Sequence, residues 1–236
     1  MDKMIVYEDN VLLVVHKPVG IATETARVGQ ADLVSELKNY RKRKGEAAYI
    51  GVVHRLDQPV EGLLVFAKDG GTARKLSGEL QSGALTKKYV ALVAGVLQTQ
   101  EGKLTDYLLK DGRTNLSRVV PGETNGAKEA SLCWRMLRHN DAVSLLEIVL
   151  DTGRHHQIRA QMAHAGFPLL GDFKYGSALS KELSHRFAVN STALLAHEIR
   201  FEHPDTGKEM EFSLNFDKFT KIFRQNEHRL GVDTFL

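Results

Sequence analysis

The chain has 236 residues, enough for one large domain or two smaller ones, and enough to bury a core without disulfides or a structural metal. Its 42% hydrophobic and 26% charged residues exclude a disordered or fibrous protein, and a net charge of +3 excludes the histone-like class while leaving a nucleic-acid partner open. The longest apolar runs, Val11–Val15 and Leu63–Ala67, are too short to span a bilayer, the first residues lack a signal-peptide core, and the lone Cys133 allows no internal disulfide, so a cytoplasmic protein with no membrane attachment is expected.

In chain order, Ile5–Glu8 and Val11–His16, split by Asp9-Asn10, predict a hairpin that Lys17-Pro18-Val19-Gly20 ends. Leu33, Val34, Leu37 and Tyr40 fall at helical spacing. The run Arg41-Lys42-Arg43-Lys44 reads as a solvated helix end whose cations suit the dipole, with Gly45 as the stop. Ile50–His54 and Gly62–Ala67 predict two apolar strands around a charged segment, Arg55–Glu61. A helix carrying Ala73, Leu76 and Leu80 stops at Gly83. Strands follow at Tyr89–Val93, Ser117–Val120, Leu132–Leu137 and Val143–Leu150. A helix carrying Ile158, Met162 and Ala165 ends at Gly166. Leu194–Phe201 and Glu209–Leu214 form a late hairpin around Asp205-Thr206-Gly207, and Asp217 caps a last helix that turns Phe219, Ile222, Phe223 and Leu230 inward. Strands outnumber helices without a regular βα alternation, and no linker or repeat interrupts the chain. The expectation is a single α+β domain over 1–236, built on a large, mostly antiparallel or mixed sheet flanked by helices.

Several chemistries are missing. No two glycines are separated by one residue, which removes the dinucleotide fingerprint, and there is no phosphate-loop or nucleophile-elbow pattern. Metal-ligand spacings are absent as well, and the neighbours His155-His156 are expected to point to different sides of a helix. His54-Arg55-Leu56-Asp57 departs from the kinase H-R-D loop by the intervening Leu56. No metal and no organic cofactor are expected.

Three segments carry chemistry. In Val52–Gly62, an extended chain puts Arg55 and Asp57 on one face, and Pro59 ends the strand, so a carboxylate is presented at a strand end beside a guanidinium that favours its charged form; taken alone, the pattern equally describes an ordinary structural Arg–Asp pair. In Asp151–Arg159, two arginines, two histidines and an amide gather where a strand gives way to a helix. Arg154 lies at that junction, and Arg159, beside the apolar stripe, calls for a carboxylate partner. In Thr86–Val93, Tyr89 heads an apolar strand, a usual place for core or interface packing, but stands next to Lys87 and Lys88, as a base-stacking ring beside phosphate-binding lysines would.

Together these segments resemble the RluA-type pseudouridine synthases, which isomerise uridine in ribosomal or transfer RNA. The family's H-R-L-D stretch and its G-L-L-x-x-A-K are matched by His54–Asp57 and Gly62–Lys68, its K-x-Y by Lys87 and Tyr89, its T-G-R-x-H-Q-I-R by Thr152–Arg159, and its P-L-L-G-D-x-x-Y-G by Pro168–Gly176. Val14–Gly20 fits the family's first motif. The resemblance implies that Asp57 is the catalytic aspartate, that Tyr89 stacks on the target base, that Arg159 is the basic partner of the aspartate, and that Arg55 holds RNA around a flipped nucleotide. Lys87 and Arg154 match motif positions and are carried over as substrate-binding. It also implies an RNA substrate, a cofactor-free reaction and no obligate protein partner. The Asp57 carboxylate either attacks C1′ or removes the C2′ proton, and both routes stay open.

The chain departs from the family at Val60-Glu61, where Thr-Ser is common, and at Gln161, where His is frequent. The pattern begins almost at Met1, so no N-terminal S4-type RNA-binding module is expected. A non-catalytic RNA-binding module would gain nothing from a carboxylate facing phosphates. A two-carboxylate glycosidase would need a second acid, for which Glu61 is the only nearby candidate.

Overall fold

A computed structural model describes residues 1–25 and 29–230. In chain order its strands and α-helices are β1 (Ile5–Glu8), β2 (Leu12–Lys17), α1 (Leu33–Arg43), β3 (Gly51–Val52), β4 (Glu61–Ala67), α2 (Gly70–Ser82), β5 (Thr86–Ala94), β6 (Glu101–Asp111), β7 (Leu116–Val120), β8 (Lys128–His139), β9 (Val143–Leu150), α3 (Gln157–His164), α4 (Ala178–Arg186), β10 (Leu194–Glu202), β11 (Glu209–Ser213) and α5 (Asp217–Leu230). The fold class is α+β, as the sequence suggests. The chain sorts into two compact units, one made of Met1–Lys88 with Ala196–Leu214, the other of Tyr89–Leu195 with the residues from Asn215 onward.

In the first unit the strand order is β1-β2-β4-β10, with β3 added to β4 and β11 to β10. The β1–β2 turn forms because the Asp9 carboxylate accepts the backbone N–H of Val11 (2.8 Å) and Leu12 (2.9 Å). Asp32 and Asp69 cap α1 and α2 through the N–H groups of Ser35 and Thr72, and Gly83 ends α2 in the left-handed conformation. The core gathers Leu12, Val14, Leu63, Val65, Leu76, Ile199 and Phe201. At Gly62, where φ is +145°, an added Cβ would lie 2.5 Å from Ala196, so only glycine lets these backbones approach.

Two expectations change here. The segment Ile50–His54 pairs as a strand only at Gly51–Val52. Beyond it, backbone and side-chain groups bond to each other in place of a ladder: the Thr23 hydroxyl donates to the Leu56 carbonyl (2.9 Å) and accepts its N–H (3.2 Å), and the His54 ring accepts the N–H of Val65 (3.3 Å). The basic run closing α1 is also not uniformly solvated. Arg41 is buried, donating to Glu46 (3.0 Å) and to the carbonyls of Tyr49 and Lys68. Lys44 pairs with Glu8 and Lys68 with both Glu8 and Glu46, each at 3.0 Å. The Lys68 and Arg41 bonds draw Glu46 down to about 2 against the cost of its desolvation. Lys42 and Arg43 keep the solvent-facing character read from the sequence.

In the second unit the order is β5-β9-β8-β6-β7, with the twelve-residue β8 running antiparallel between β6 and β9. The long strand β6 lies outside the strands that the sequence predicts: exposed and half-buried residues alternate from Glu101 to Tyr107, and Leu108 is its buried anchor. The helix α4 is a second addition, capped by Ser177 and seated in the core by Leu183. Ala160 of α3 packs with Leu108 and Ala130, bordered by Val119 and Tyr175. In α5 Asp217 is the first helical residue and not the cap. Phe219, Ile222 and Phe223 are buried as expected, while the side chain of Leu230 lies outside the described residues.

Candidate active site

Asp57 is half-buried in the segment between β3 and β4, and its carbonyl closes a turn by accepting the Val60 N–H at 3.0 Å. The extended strand expected to align Arg55 with Asp57 is absent. Arg55 is exposed and lies 3.6 Å from Glu24. What sits behind the Asp57 turn is Lys17, a residue that the sequence patterns do not single out. Its side chain is fully buried at the end of β2, and its ammonium donates to the carbonyls of Pro18 (3.1 Å), Ile21 (2.8 Å) and Gln58 (3.3 Å). Gly20 and Gln58 exchange two further bonds, each 2.9 Å, so the loop after β2 is stapled to the residue following Asp57. Burial draws the Lys17 amine down to about 8, against the opposing pull of the Asp57 and Glu61 carboxylates. A lysine just past an apolar run, with only His16 between it and Val11–Val15, is the signal that could have found it.

Glu61, the departure from the family pattern, accepts a bond from His16 Nε2 at 2.9 Å. His54 supports the loop from beneath. Because its Nε2 accepts from Val65, its hydrogen resides on Nδ1, which has no hydrogen-bond partner among the described residues. Burial, and secondarily the Lys87 charge, holds His54 well below the ordinary imidazole range. Burial likewise lowers the Lys87 amine to about 8.

In the second unit Tyr89 is buried on β5. Arg159, in the first turn of α3, is buried and held by Asp172, with Nε to Oδ2 at 2.6 Å and Nη2 to Oδ1 at 2.8 Å. The guanidinium lies 5.1 Å from the centre of the Tyr175 ring. His156 takes a left-handed backbone (φ 54°, ψ 26°) just before the helix, and its ring stacks on His155 with centres 3.7 Å apart. This corrects the expectation of divergent histidines: they precede the helix, where helical spacing does not apply. His156 Nδ1 meets the Tyr175 hydroxyl at 2.8 Å, which also accepts the Ser117 N–H at 2.7 Å. Gln157 is fixed by Thr152, the Arg154 N–H and the Ser131 carbonyl. Arg154 is exposed, its Nε donating to the Glu129 carbonyl at 2.8 Å. Gln161 is fully buried and bonds to Asp106 (2.7 Å) and the Ala130 carbonyl (3.1 Å). No group of three metal-ligating side chains occurs among the described residues.

The first unit thus holds a half-buried carboxylate with a buried ammonium behind its turn, and the second holds a clamped arginine at a helix start. Residues 11–164 match the RNA pseudouridylate synthase family. The chain is 33% identical over 220 residues to the ribosomal large subunit pseudouridine synthase C of Buchnera aphidicola subsp. Schizaphis graminum, covering 93% of this chain and 69% of the relative. It is 35% identical over 206 residues to the uncharacterized RNA pseudouridine synthase YhcT of Bacillus subtilis strain 168, covering 86% of this chain and 65% of the relative, so it spans about two thirds of these proteins' length. Human RNA Pseudouridylate Synthase Domain Containing 4 shares the fold, with a TM-score of 0.76 at 21% identity, covering 99% of this chain and 95% of that one. The chain belongs to the RNA pseudouridylate synthase family, enzymes that isomerise uridine in RNA to pseudouridine.

Proposed function

We propose that this chain converts uridines of structured ribosomal RNA, in the large subunit, to pseudouridine, with Asp57 as its catalytic carboxylate and residues 1–236 working as one catalytic domain. The ribosomal substrate rests on the relatives' names. The observation that carries the Asp57 assignment is the buried Lys17 ammonium, which fixes the residue after Asp57 and lies within electrostatic reach of its carboxylate. In one route the carboxylate attacks C1′ and N1 leaves with the bonding pair. In the other the carboxylate takes the C2′ proton and a glycal forms. The freed uracil then rotates and C5 bonds to C1′, displacing the Asp57 carboxylate in the first route, or adding to the glycal as the carboxylate returns the proton to C2′ in the second; C5 finally loses its proton and N1 gains one. The sum is an isomerisation, so no oxidant or reductant enters.

Unstacking the target base costs roughly a few kcal/mol. Tyr89 offsets this by stacking, about 1–3 kcal/mol by analogy with single-strand binders. Arg55, Lys87, Arg154 and Arg159 bind the substrate. The setting is the cytoplasm, with no membrane or obligate protein partner; no helix among the described residues is long and apolar enough to cross a membrane.

The test is tritium release from RNA labelled at uracil C5. Wild type releases it. Asp57→Asn, nearly the same shape without the anionic oxygen, folds and binds RNA but releases none. Near-normal release by that variant would make the carboxylate structural.

A further inference from the structure

Phe173 is 74% exposed, more than any other large hydrophobic side chain among the described residues. Its backbone, by contrast, is held on every side. The neighbouring Asp172 is buried, and its Oδ1 accepts the N–H of Lys174 (3.0 Å) and Tyr175 (3.3 Å) while both its oxygens grip Arg159. The Asp172 carbonyl accepts the Gly176 N–H at 2.9 Å, and a Cβ on Gly176 would collide with that oxygen. The Tyr175 hydroxyl is tied to Ser117 and His156, and the Lys174 ammonium reaches the Asn115 carbonyl at 3.2 Å. A rigid turn thus holds an uncovered aromatic ring one residue, about 3.8 Å of Cα trace, from the carboxylate that fixes Arg159.

The acid beside this ring, Asp172, is buried and spent on Arg159. From Phe173 to Lys181 the sequence then carries two lysines before Glu182, and the β6–β7 turn that Lys174 touches carries Arg113 near Asp111, which is engaged by the turn's own N–H groups. A preorganised aromatic face in cationic surroundings suits a nucleobase with its phosphates, because every base offers a π-face and every link an anion. We propose that Phe173 is a stacking platform for an unpaired base of the RNA substrate, with Lys174 on an adjoining phosphate. The inference rests on the RNA-modifying function proposed above. It adds a contact at a position outside the family motif, where the pattern D-x-x-Y-G leaves the residue open.

The experiment uses the full chain and pseudouridine-free large-subunit ribosomal RNA transcribed with uracil tritiated at C5. Phe173→Ala and Phe173→Leu raise KM roughly 5- to 100-fold, as removal of one stacked base requires, and leave kcat little changed. Phe173→Trp retains the wild-type KM, and its added indole emission is quenched when poly(U) is titrated in. An unchanged KM for the alanine variant overturns the proposal. So does a leucine variant that performs like the tryptophan variant, since that marks a generic apolar contact such as a protein partner would make. A wild-type enzyme that releases no tritium overturns the enzymatic reading alone. In that case the poly(U) titration still decides the platform, and unquenched emission from the Phe173→Trp variant rejects it.

Discussion

Asp172 and Arg159 form a buried, two-point ion pair, 2.6 and 2.8 Å long, between a turn and the first turn of α3. The same carboxylate shapes the turn through its bonds to Lys174 and Tyr175, so one residue sets both the arginine and the loop. Removing one partner of such a pair strands the other charge away from water. Asp172→Ala is expected to lose about 3–5 kcal/mol of stability and most of its turnover. Arg159→Lys does not preserve the wild-type behaviour, because an ammonium cannot make the forked contact. Urea melts alongside tritium release provide the check, and a wild-type midpoint for Asp172→Ala would refute it.

Lys17 is expected to make stability depend on alkaline pH in an unusual direction. Its folded-state value is about 8, against the usual 10.5, so between those pH values the unfolded chain binds the extra proton. Raising pH through this window therefore favours the native state, by up to about 3 kcal/mol from this residue. Lys87, also lowered to about 8, contributes with the same sign. In Lys17→Met the Lys17 share of that rise disappears. The variant is less stable at pH 7, since three carbonyls lose their donor. Urea titrations at pH 7, 8.5 and 10 measure both effects, and an unaltered pH profile in the variant would count against the assignment.

Gly62→Ala is expected to destabilise by roughly 2–5 kcal/mol, combining a backbone conformation that side chains rarely adopt with a collision against Ala196. Activity should fall further than stability, since β4 begins directly after the Asp57 turn. Thermal melts and turnover at a temperature where the variant remains folded separate the two.

RNA affinity is expected to fall steeply with salt, and the α1 cluster to contribute unevenly. Replacing Lys42 or Arg43 by Gln should reduce the log–log salt slope by about 0.7 for each phosphate no longer neutralised. Arg41→Gln should instead lower the melting temperature, because its guanidinium is spent on Glu46, Tyr49 and Lys68. Affinities measured across a potassium chloride series decide this. Equal slope changes for Arg41 and Lys42 would contradict the division.

Legibility varies with the kind of interaction involved. Hairpins and helices marked by local signals, such as Asp9 before β2 or Gly83 after α2, are readable because the cause lies within a few residues of the effect. The strand β6 escapes because its charged residues fall on both faces and only Leu108 is buried, so no apolar period-two pattern marks it. The motif residues can be found from their order along the chain, but their settings cannot. Arg159 wants a carboxylate, and nothing local singles out Asp172, thirteen positions away. Lys17 is hard to read as a site residue for a related reason: beside the nearby carbonyls of Pro18 and Ile21, its burial is completed by that of Gln58, 41 positions away.

The first unit is assembled from two stretches that are far apart in the chain, Met1–Lys88 and Ala196–Leu214, and its core includes Ile199 and Phe201. During synthesis, 214 − 88 = 126 residues separate the end of the first stretch from the end of the second. At about 5–20 residues per second the nascent chain waits roughly 6–25 s with Leu63, Val65 and the inner side of α2 lacking their final cover. That interval exceeds the folding time of most small domains, so the emerging N-terminal stretch keeps apolar surface exposed until the second stretch is made. A circular permutant that joins the two stretches in sequence would shorten the exposure and should express with less aggregation.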